Sequence, residues 1–169
     1  TEYKYDPAGN LIEKLTANLQ RIKKPVKYDY DFNRLKSITY PENPKNNVKY
    51  TYGTPDAADF RAGRLVLQED GSGAQEFKYG SMGELTEARR TLVIPNQAVA
   101  TYVTKWTYDS WNRLQTMIYP DNEAVNYAYD AGGQLVSVKG SGTSDYITNI
   151  TYDKFGQRTS VTYGNGTKT

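Results

Sequence analysis

The sequence contains no cysteine and no histidine, and these two absences exclude several classes of protein. Without cysteine there are no disulfides and there is no thiol redox chemistry. Without histidine the chain lacks the commonest general base, the Ser-His-Asp and Cys-His triads and most zinc sites. We therefore predict no catalytic residues, no metal site, no cofactor and no enzymatic activity.

Aliphatic residues are scarce, and no stretch of 18 apolar residues is present, so we predict no membrane insertion. Hydrophobic residues make up 37% of the 169 positions, and 16 of them are tyrosines. A tyrosine covers apolar surface with its ring and keeps its hydroxyl in water. This composition favours an open array of repeated units over a domain with one central core.

The charges nearly cancel, with 21 basic and 19 acidic residues and a net charge of +2. Nucleic-acid binding depends on neutralising several phosphates at once, so we predict no nucleic-acid partner. The densest basic stretch, at 21–27, is interpreted as a solvated turn.

One short pattern recurs seven times and defines a repeat. An aromatic residue or Ile is followed by any residue and then Tyr, and successive second tyrosines lie 21 to 29 residues apart. These anchor tyrosines are Tyr5, Tyr30, Tyr52, Tyr79, Tyr108, Tyr129 and Tyr152. An aspartate follows five of them, namely Asp6, Asp31, Asp109, Asp130 and Asp153.

Each anchor is then followed by Gly or Asn and, two residues later, by Leu in six of the seven units. The Gly or Asn positions are Gly9, Asn33, Gly63, Gly83, Asn112, Gly133 and Gly156. The leucines are Leu11, Leu35, Leu65, Leu85, Leu114 and Leu135, and Arg158 replaces Leu in the last unit. We interpret all of these residues as structural positions of the repeat, because a residue repeated in every unit serves the geometry of the unit.

Each part of the unit favours a β-hairpin. Alternate residues of a strand share a face, so Tyr-x-Tyr places two rings together. Asp accepts hydrogen bonds from backbone amides and starts a turn, and Gly or Asn suits a positive φ. With further turns at 40–43, 70–73, 119–122, 140–142 and 163–166, the pattern predicts an all-β antiparallel meander of about 12 to 14 strands.

Three segments depart from the pattern. Residues 54–62 are an insertion and are expected to form a longer loop. The turn that contains Asn33 is one residue short and should be tighter. Residues 11–22 fit both helical spacing and period two, and a turn at 16–18 favours a hairpin there.

The repeated Tyr-Asp unit resembles the YD repeat of the rearrangement-hotspot (Rhs) proteins. Its clearest copies lie at 5–11, 108–114, 129–135 and 152–158, and the likeness covers essentially the whole chain. Similar repeats occur in bacterial polymorphic toxins, in the encapsulating components of insecticidal toxin complexes and in animal teneurins. The resemblance implies a curved or spiral sheet in a hollow shell, which encloses a toxin polypeptide in bacterial relatives, and a secreted or cell-surface location.

The chain opens within a repeat, so residues 1–169 are interpreted as seven YD-type repeats cut from a longer array. Its partners would then be the remainder of its own chain and an enclosed toxin polypeptide. An interrupted sheet leaves unpaired strand edges, which predicts edge-to-edge association between copies.

Two other functions stay open at this point. Regularly spaced rings can stack on sugars, as in a carbohydrate-binding or cell-wall-binding module, but Tyr-x-Tyr also packs as a ladder of cross-strand neighbours. A sugar-binding platform leaves several rings exposed, whereas a ladder buries most of the ring area between neighbouring residues. An adhesion surface would instead show a large exposed apolar patch, and the residues to inspect are Phe60, Trp106, Trp111 and Phe155.

Overall fold

Strands dominate the computed structural model, which describes residues 1–142 and 145–169. The strands are β1 (Glu2–Tyr5), β2 (Leu11–Leu15), β3 (Val26–Asp31), β4 (Arg34–Thr39), β5 (Val48–Tyr52), β6 (Leu65–Asp70), β7 (Gly73–Tyr79), β8 (Leu85–Leu92), β9 (Ala100–Tyr108), β10 (Leu114–Ile118), β11 (Ala124–Tyr129), β12 (Leu135–Gly140), β13 (Asp145–Tyr152) and β14 (Arg158–Tyr163). A six-residue helix, α1 (Ala17–Ile22), and a 3-10 helix (Pro44–Asn46) interrupt the series.

The strands lie in the sheet in the order in which they occur in the chain, from β1 to β14. Neighbours pair antiparallel, as in Met117 opposite Val125 and Tyr127 opposite Val138. Fourteen strands are formed by the described residues, and the predicted all-β meander of hairpins is confirmed. This order follows from the short connections, because each strand pairs with the strand that precedes or follows it in the chain.

The chain divides into two compact units with sparse cores. The first unit comprises Thr1–Ser81 and Arg89–Tyr102, and Val26 is its buried hydrophobic residue among those described. The second comprises Met82–Ala88 and Val103–Thr169, and its buried hydrophobic residues are Val125, Val138, Ile150 and Val161. No described side chain falls below 2% exposure, so stability is distributed over contacts between neighbouring strands.

The hairpin predicted for residues 11–22 is only half right. Leu11–Leu15 form strand β2, as period two indicates, but Ala17–Ile22 form helix α1. The helix contains good helix formers and ends at Lys23, whose φ of 53° is left-handed and whose N–H donates to the Gln20 carbonyl. A local propensity therefore prevailed over the repeat pattern.

The insertion at 54–62 contains no strand, in agreement with the predicted loop. Backbone hydrogen bonds close its base, because the Gly53 N–H donates to the Arg64 carbonyl at 2.9 Å and the Gly63 N–H donates to the Gly53 carbonyl at 2.9 Å. Among the other predicted turns, Tyr119–Asn122 and Tyr163–Gly166 are each closed by an i+3 to i hydrogen bond of 2.9 Å. The connection predicted at 140–142 runs into residues 143 and 144, which lie outside the described part of the chain.

Candidate functional site

In six units the anchor tyrosine lies at or next to the end of its strand, opposite a residue at or next to the start of the following strand. The paired residues are Tyr5 and Leu11, Tyr30 and Leu35, Tyr52 and Leu65, Tyr108 and Leu114, Tyr129 and Leu135, and Tyr152 and Arg158. The register shifts at each of these pairs, so the return strand carries one extra residue. Such a bulge increases local twist, and its recurrence makes it part of the repeat.

The aspartate after the anchor closes the turn. The Asp130 carboxylate accepts the N–H of Gln134 at 2.9 Å, the Asp130 N–H donates to the Gln134 carbonyl at 2.9 Å, and the Gly133 N–H donates to the Asp130 carbonyl at 3.0 Å. Asp6, Asp109 and Asp153 make the same three contacts. The backbone N–H of Arg113 lowers the pKa of Asp109, and the side chain of Asn10 lowers that of Asp6. Ionised carboxylates therefore hold the turns at Asp6 and Asp109.

The Gly or Asn position adopts the left-handed backbone in six units. These residues are Gly9, Gly63, Gly83, Asn112, Gly133 and Gly156, with φ between 59° and 88°. Asn33 is the exception, and the expectation of a positive φ at this residue was wrong. Asp31 pairs directly with Arg34, which leaves a two-residue loop, and the positive φ of 53° falls on the exposed Phe32. Because this turn is one residue shorter than the others, the left-handed position lies at Phe32, one residue before Asn33.

The anchor tyrosine also fastens its unit to the unit before it. The Tyr129 hydroxyl donates to the carbonyl oxygen of Leu114 at 2.9 Å, across strands β10 and β11. The same bond joins Tyr52 to Leu35, Tyr79 to Leu65, Tyr108 to Leu85 and Tyr152 to Leu135, at 2.6 to 3.0 Å. Burial raises the pKa of Tyr79, Tyr108 and Tyr129, so these hydroxyls stay protonated and able to donate.

An arginine that precedes the leucine adds a second contact to the next anchor. The guanidinium carbon of Arg113 lies 4.4 Å from the centre of the Tyr129 ring and 4.5 Å from that of Trp111, and its Nε donates to Asp109 at 2.7 Å. Arg34 over Tyr52 and Arg64 over Tyr79 repeat the ring contact at 5.2 and 5.4 Å. These arginines were not predicted from the sequence, although their signal is present as Arg-Leu at 34–35, 64–65 and 113–114.

Ring exposure favours the ladder over the sugar platform. The anchors Tyr52, Tyr79, Tyr108, Tyr129 and Tyr152 are partly buried and have bonded hydroxyls, whereas Tyr5 in the first unit is 60% exposed. Trp106 lies within β9 and is half-buried. Trp111, Phe155 and Phe60 are 70%, 75% and 56% exposed, and each stands in a separate turn or loop.

Across residues 1–142 and 145–169, His, Cys, Asp and Glu form no group of three or more that could hold a metal ion. Within the same residues, no helix combines the length and the apolar character needed to cross a membrane.

A family model named RHS Repeat matches the chain twice, over residues 108–145 and 129–168. This part of the chain is similar to Rhs repeats, in agreement with the resemblance of its Tyr-Asp units. The two matches overlap over residues 129–145, and both contain tyrosine, aspartate and glycine positions described above. No curated protein sequence matches the chain.

Solved structures show the same fold. The TcdB2-TccC3-TEV structure superposes with a TM-score of 0.76 at 22% identity and covers 96% of this chain and 9% of its own. TcdB2-TccC3 without its hypervariable C-terminal region gives 0.78 at 21% identity, covering 98% and 9%. The Photorhabdus luminescens Tc holotoxin pore gives 0.59 at 17% identity, covering 96% and 11%. The chain thus spans about a tenth of the length of those solved chains.

Proposed function

We propose that these Rhs repeats form a structural segment of a shell, a curved or spiral β-sheet that encloses a toxin polypeptide. The observation that carries the proposal is the recurring bond from an anchor tyrosine to the leucine carbonyl of the preceding unit. A contact that recurs in successive units allows a wall to be built one repeat at a time, whereas a catalytic site needs a set of residues that occurs once. The segment therefore has a scaffolding role and no enzymatic one.

The solved relatives support this role, because one is described as a Tc holotoxin pore and another as lacking a hypervariable C-terminal region. The partners of the segment are then the remaining repeats of its own longer chain and an enclosed toxin polypeptide. The shell is secreted or displayed at the cell surface.

The first strand of the segment supplies an edge for self-association. Strand β1 has one neighbour, β2, among the described residues, and Tyr3 and Tyr5 on it are 50% and 60% exposed. Unpaired backbone groups on such an edge recruit another strand. We expect the isolated 169-residue chain to form dimers or larger species at high concentration, and light scattering that shows a strict monomer at millimolar concentration would refute this expectation.

The test of enclosure uses the natural full-length chain that carries this segment. In the native protein we expect the polypeptide beyond the repeats to resist protease. In a variant with Tyr129→Phe and Tyr152→Phe it should become cleavable at a lower urea concentration, because the wall opens earlier. If the native protein's downstream polypeptide is cut as fast as the same polypeptide in isolation, the enclosure proposal fails.

A further inference from the structure

A cavity of about 650 Å³ lies in the second compact unit, where strand β13 begins and strand β14 ends. This volume falls within the range of about 300 to 1,000 Å³ that is typical of small-molecule sites. None of the anchor tyrosines or turn aspartates of the repeat is among the described residues that line it. The cavity is therefore separate from the ladder that joins the units.

Two tyrosines line this cavity, one from each strand, and the backbone between them is closely packed. The Gly164 N–H donates to the Tyr146 carbonyl at 3.1 Å, and a β-carbon on Gly164 would collide with the carbonyl oxygen of Asp145. The Tyr146 hydroxyl donates to the Glu123 carboxylate at 2.6 Å, which restrains its ring. Tyr146 and Tyr163 are nevertheless 47% and 38% exposed, so both rings offer surface to a ligand.

Asp145 is the charged residue among the described residues that line the cavity. Its carboxylate has no hydrogen-bond or ion-pair partner within residues 1–142 and 145–169, and Lys139, opposite it in the strand ladder, forms no ion pair with it. Other lining groups already have partners, because the Thr148 hydroxyl donates to a carbonyl of β14 at 3.1 Å and the Thr167 hydroxyl donates to the Asn165 side chain at 2.7 Å. The cavity therefore combines two aromatic rings with one unpaired negative charge.

The chain itself shows which group such a combination holds. The guanidinium of Arg113 lies 4.5 Å from the centre of the Trp111 ring and 4.4 Å from that of Tyr129. The Nε of Arg113 donates to the Asp109 carboxylate at 2.7 Å, so two rings and one carboxylate enclose one cation. A guanidinium is planar, stacks on aromatic faces and binds a carboxylate through paired donors, whereas an ammonium is a compact and strongly hydrated charge. The cavity beside Asp145 has the same rings and carboxylate, and no described cation lines it.

We infer that this cavity binds an arginine side chain of another polypeptide. The guanidinium stacks on the ring of Tyr146 or Tyr163 and donates to the Asp145 carboxylate. A neutral or acidic ligand would instead cover this carboxylate without giving it a partner, which costs free energy. The inference does not depend on the shell role, since it concerns one hairpin and not the repeated ladder.

The test titrates the isotope-labelled 169-residue chain with the blocked peptide acetyl-Gly-Arg-Gly-amide and follows the ring resonances of Tyr146 and Tyr163. Two matched peptides carry citrulline, which has the shape of arginine without its charge, or lysine in place of arginine. We expect the arginine peptide to shift both sets of resonances saturably. The citrulline peptide should bind about tenfold or more weakly because it loses the charged hydrogen bond, and the lysine peptide about threefold or more weakly.

Asp145→Asn should weaken binding of the arginine peptide about tenfold, whereas Asp29→Asn, the same change in an exposed pair with Lys36 on β3, should leave it within twofold.

Tyr146→Leu keeps the test decisive if Asp145→Asn does not fold. It should weaken binding about threefold or more. Its matched control is Tyr102→Leu, which removes a ring of nearly equal exposure, 48% against 47%, from strand β9 and should leave binding within twofold. The inference is overturned if the arginine peptide does not bind, if the citrulline or lysine peptide binds as tightly, or if each cavity variant behaves like its control.

Discussion

Replacing Tyr129 with phenylalanine removes a single hydroxyl from the ladder and leaves its ring in place. The hydroxyl donates to the Leu114 carbonyl at 2.9 Å, and Arg113 still packs over the ring in the variant. A net hydrogen bond contributes about 0.5 to 1.5 kcal/mol, and a carbonyl left without its partner costs somewhat more. We expect Tyr129→Phe to lower the free energy of unfolding by about 1 to 2 kcal/mol, which lowers Tm by about 3 to 6 °C in a chain of this size.

The assay is urea and thermal unfolding followed by far-UV circular dichroism. Tyr5→Phe is the matched control, because Tyr5 occupies the same repeat position, is 60% exposed and has no hydroxyl partner among the described residues. Its effect should stay within about 0.5 kcal/mol, as for other surface substitutions. Equal effects of the two substitutions would refute the reasoning, since they would show that the bond to the leucine carbonyl contributes nothing.

Three further predictions concern the turns and the pH range. Phe32→Gly should stabilise the chain by about 0.5 to 1 kcal/mol in urea unfolding, because glycine adopts the left-handed φ of 53° more easily; a loss of stability would contradict this. The pKa of Asp109 is lowered in the fold, so its contribution to the free energy of unfolding is present above the ordinary aspartate pKa and is lost on acidification. Asp109→Asn should therefore reduce the difference in the free energy of unfolding between pH 7 and pH 3. Burial raises the pKa of Tyr79 and Tyr108, so their contribution is complete below about pH 10. This contribution to stability should be lost at higher pH, where the tyrosinate absorbance and the unfolded fraction should rise together. Ionisation of the tyrosines without unfolding would contradict this.

The meander could be predicted from the sequence because its information is local. Each part of the repeat specifies one part of a hairpin: the first strand by Tyr-x-Tyr, the turn by Asp and by Gly or Asn, and the return strand by Leu. Consecutive hairpins then allow few alternative strand orders. Where a unit lost one residue, the pattern still predicted a tight turn but placed the left-handed residue at Asn33 when it lies at Phe32. The choice between two adjacent loop residues depends on loop length and strand register, which side-chain identity alone does not reveal.

The contacts between units could not be predicted, because they join residues 14 to 23 positions apart. The tyrosine pattern indicated that the rings share a face, but not that five of the anchor hydroxyls donate to the leucine carbonyl of the preceding unit. The bulge at six of the anchors could not be predicted for the same reason, since it depends on how two strands are paired. Arg113, which contacts both Trp111 and Tyr129, looked like an ordinary polar turn residue.

The central claim is that successive repeats are adjacent strands of one meander and that five anchor tyrosines bond to the unit before their own. Nuclear Overhauser contacts in an isotope-labelled sample test it directly within β10, β11 and β12. Protons of Met117 should contact those of Val125, protons of Tyr127 should contact those of Val138, and the Tyr129 ring should contact Leu114. Contacts that instead join β10 to β12, or a Tyr129 ring remote from Leu114, would contradict the account.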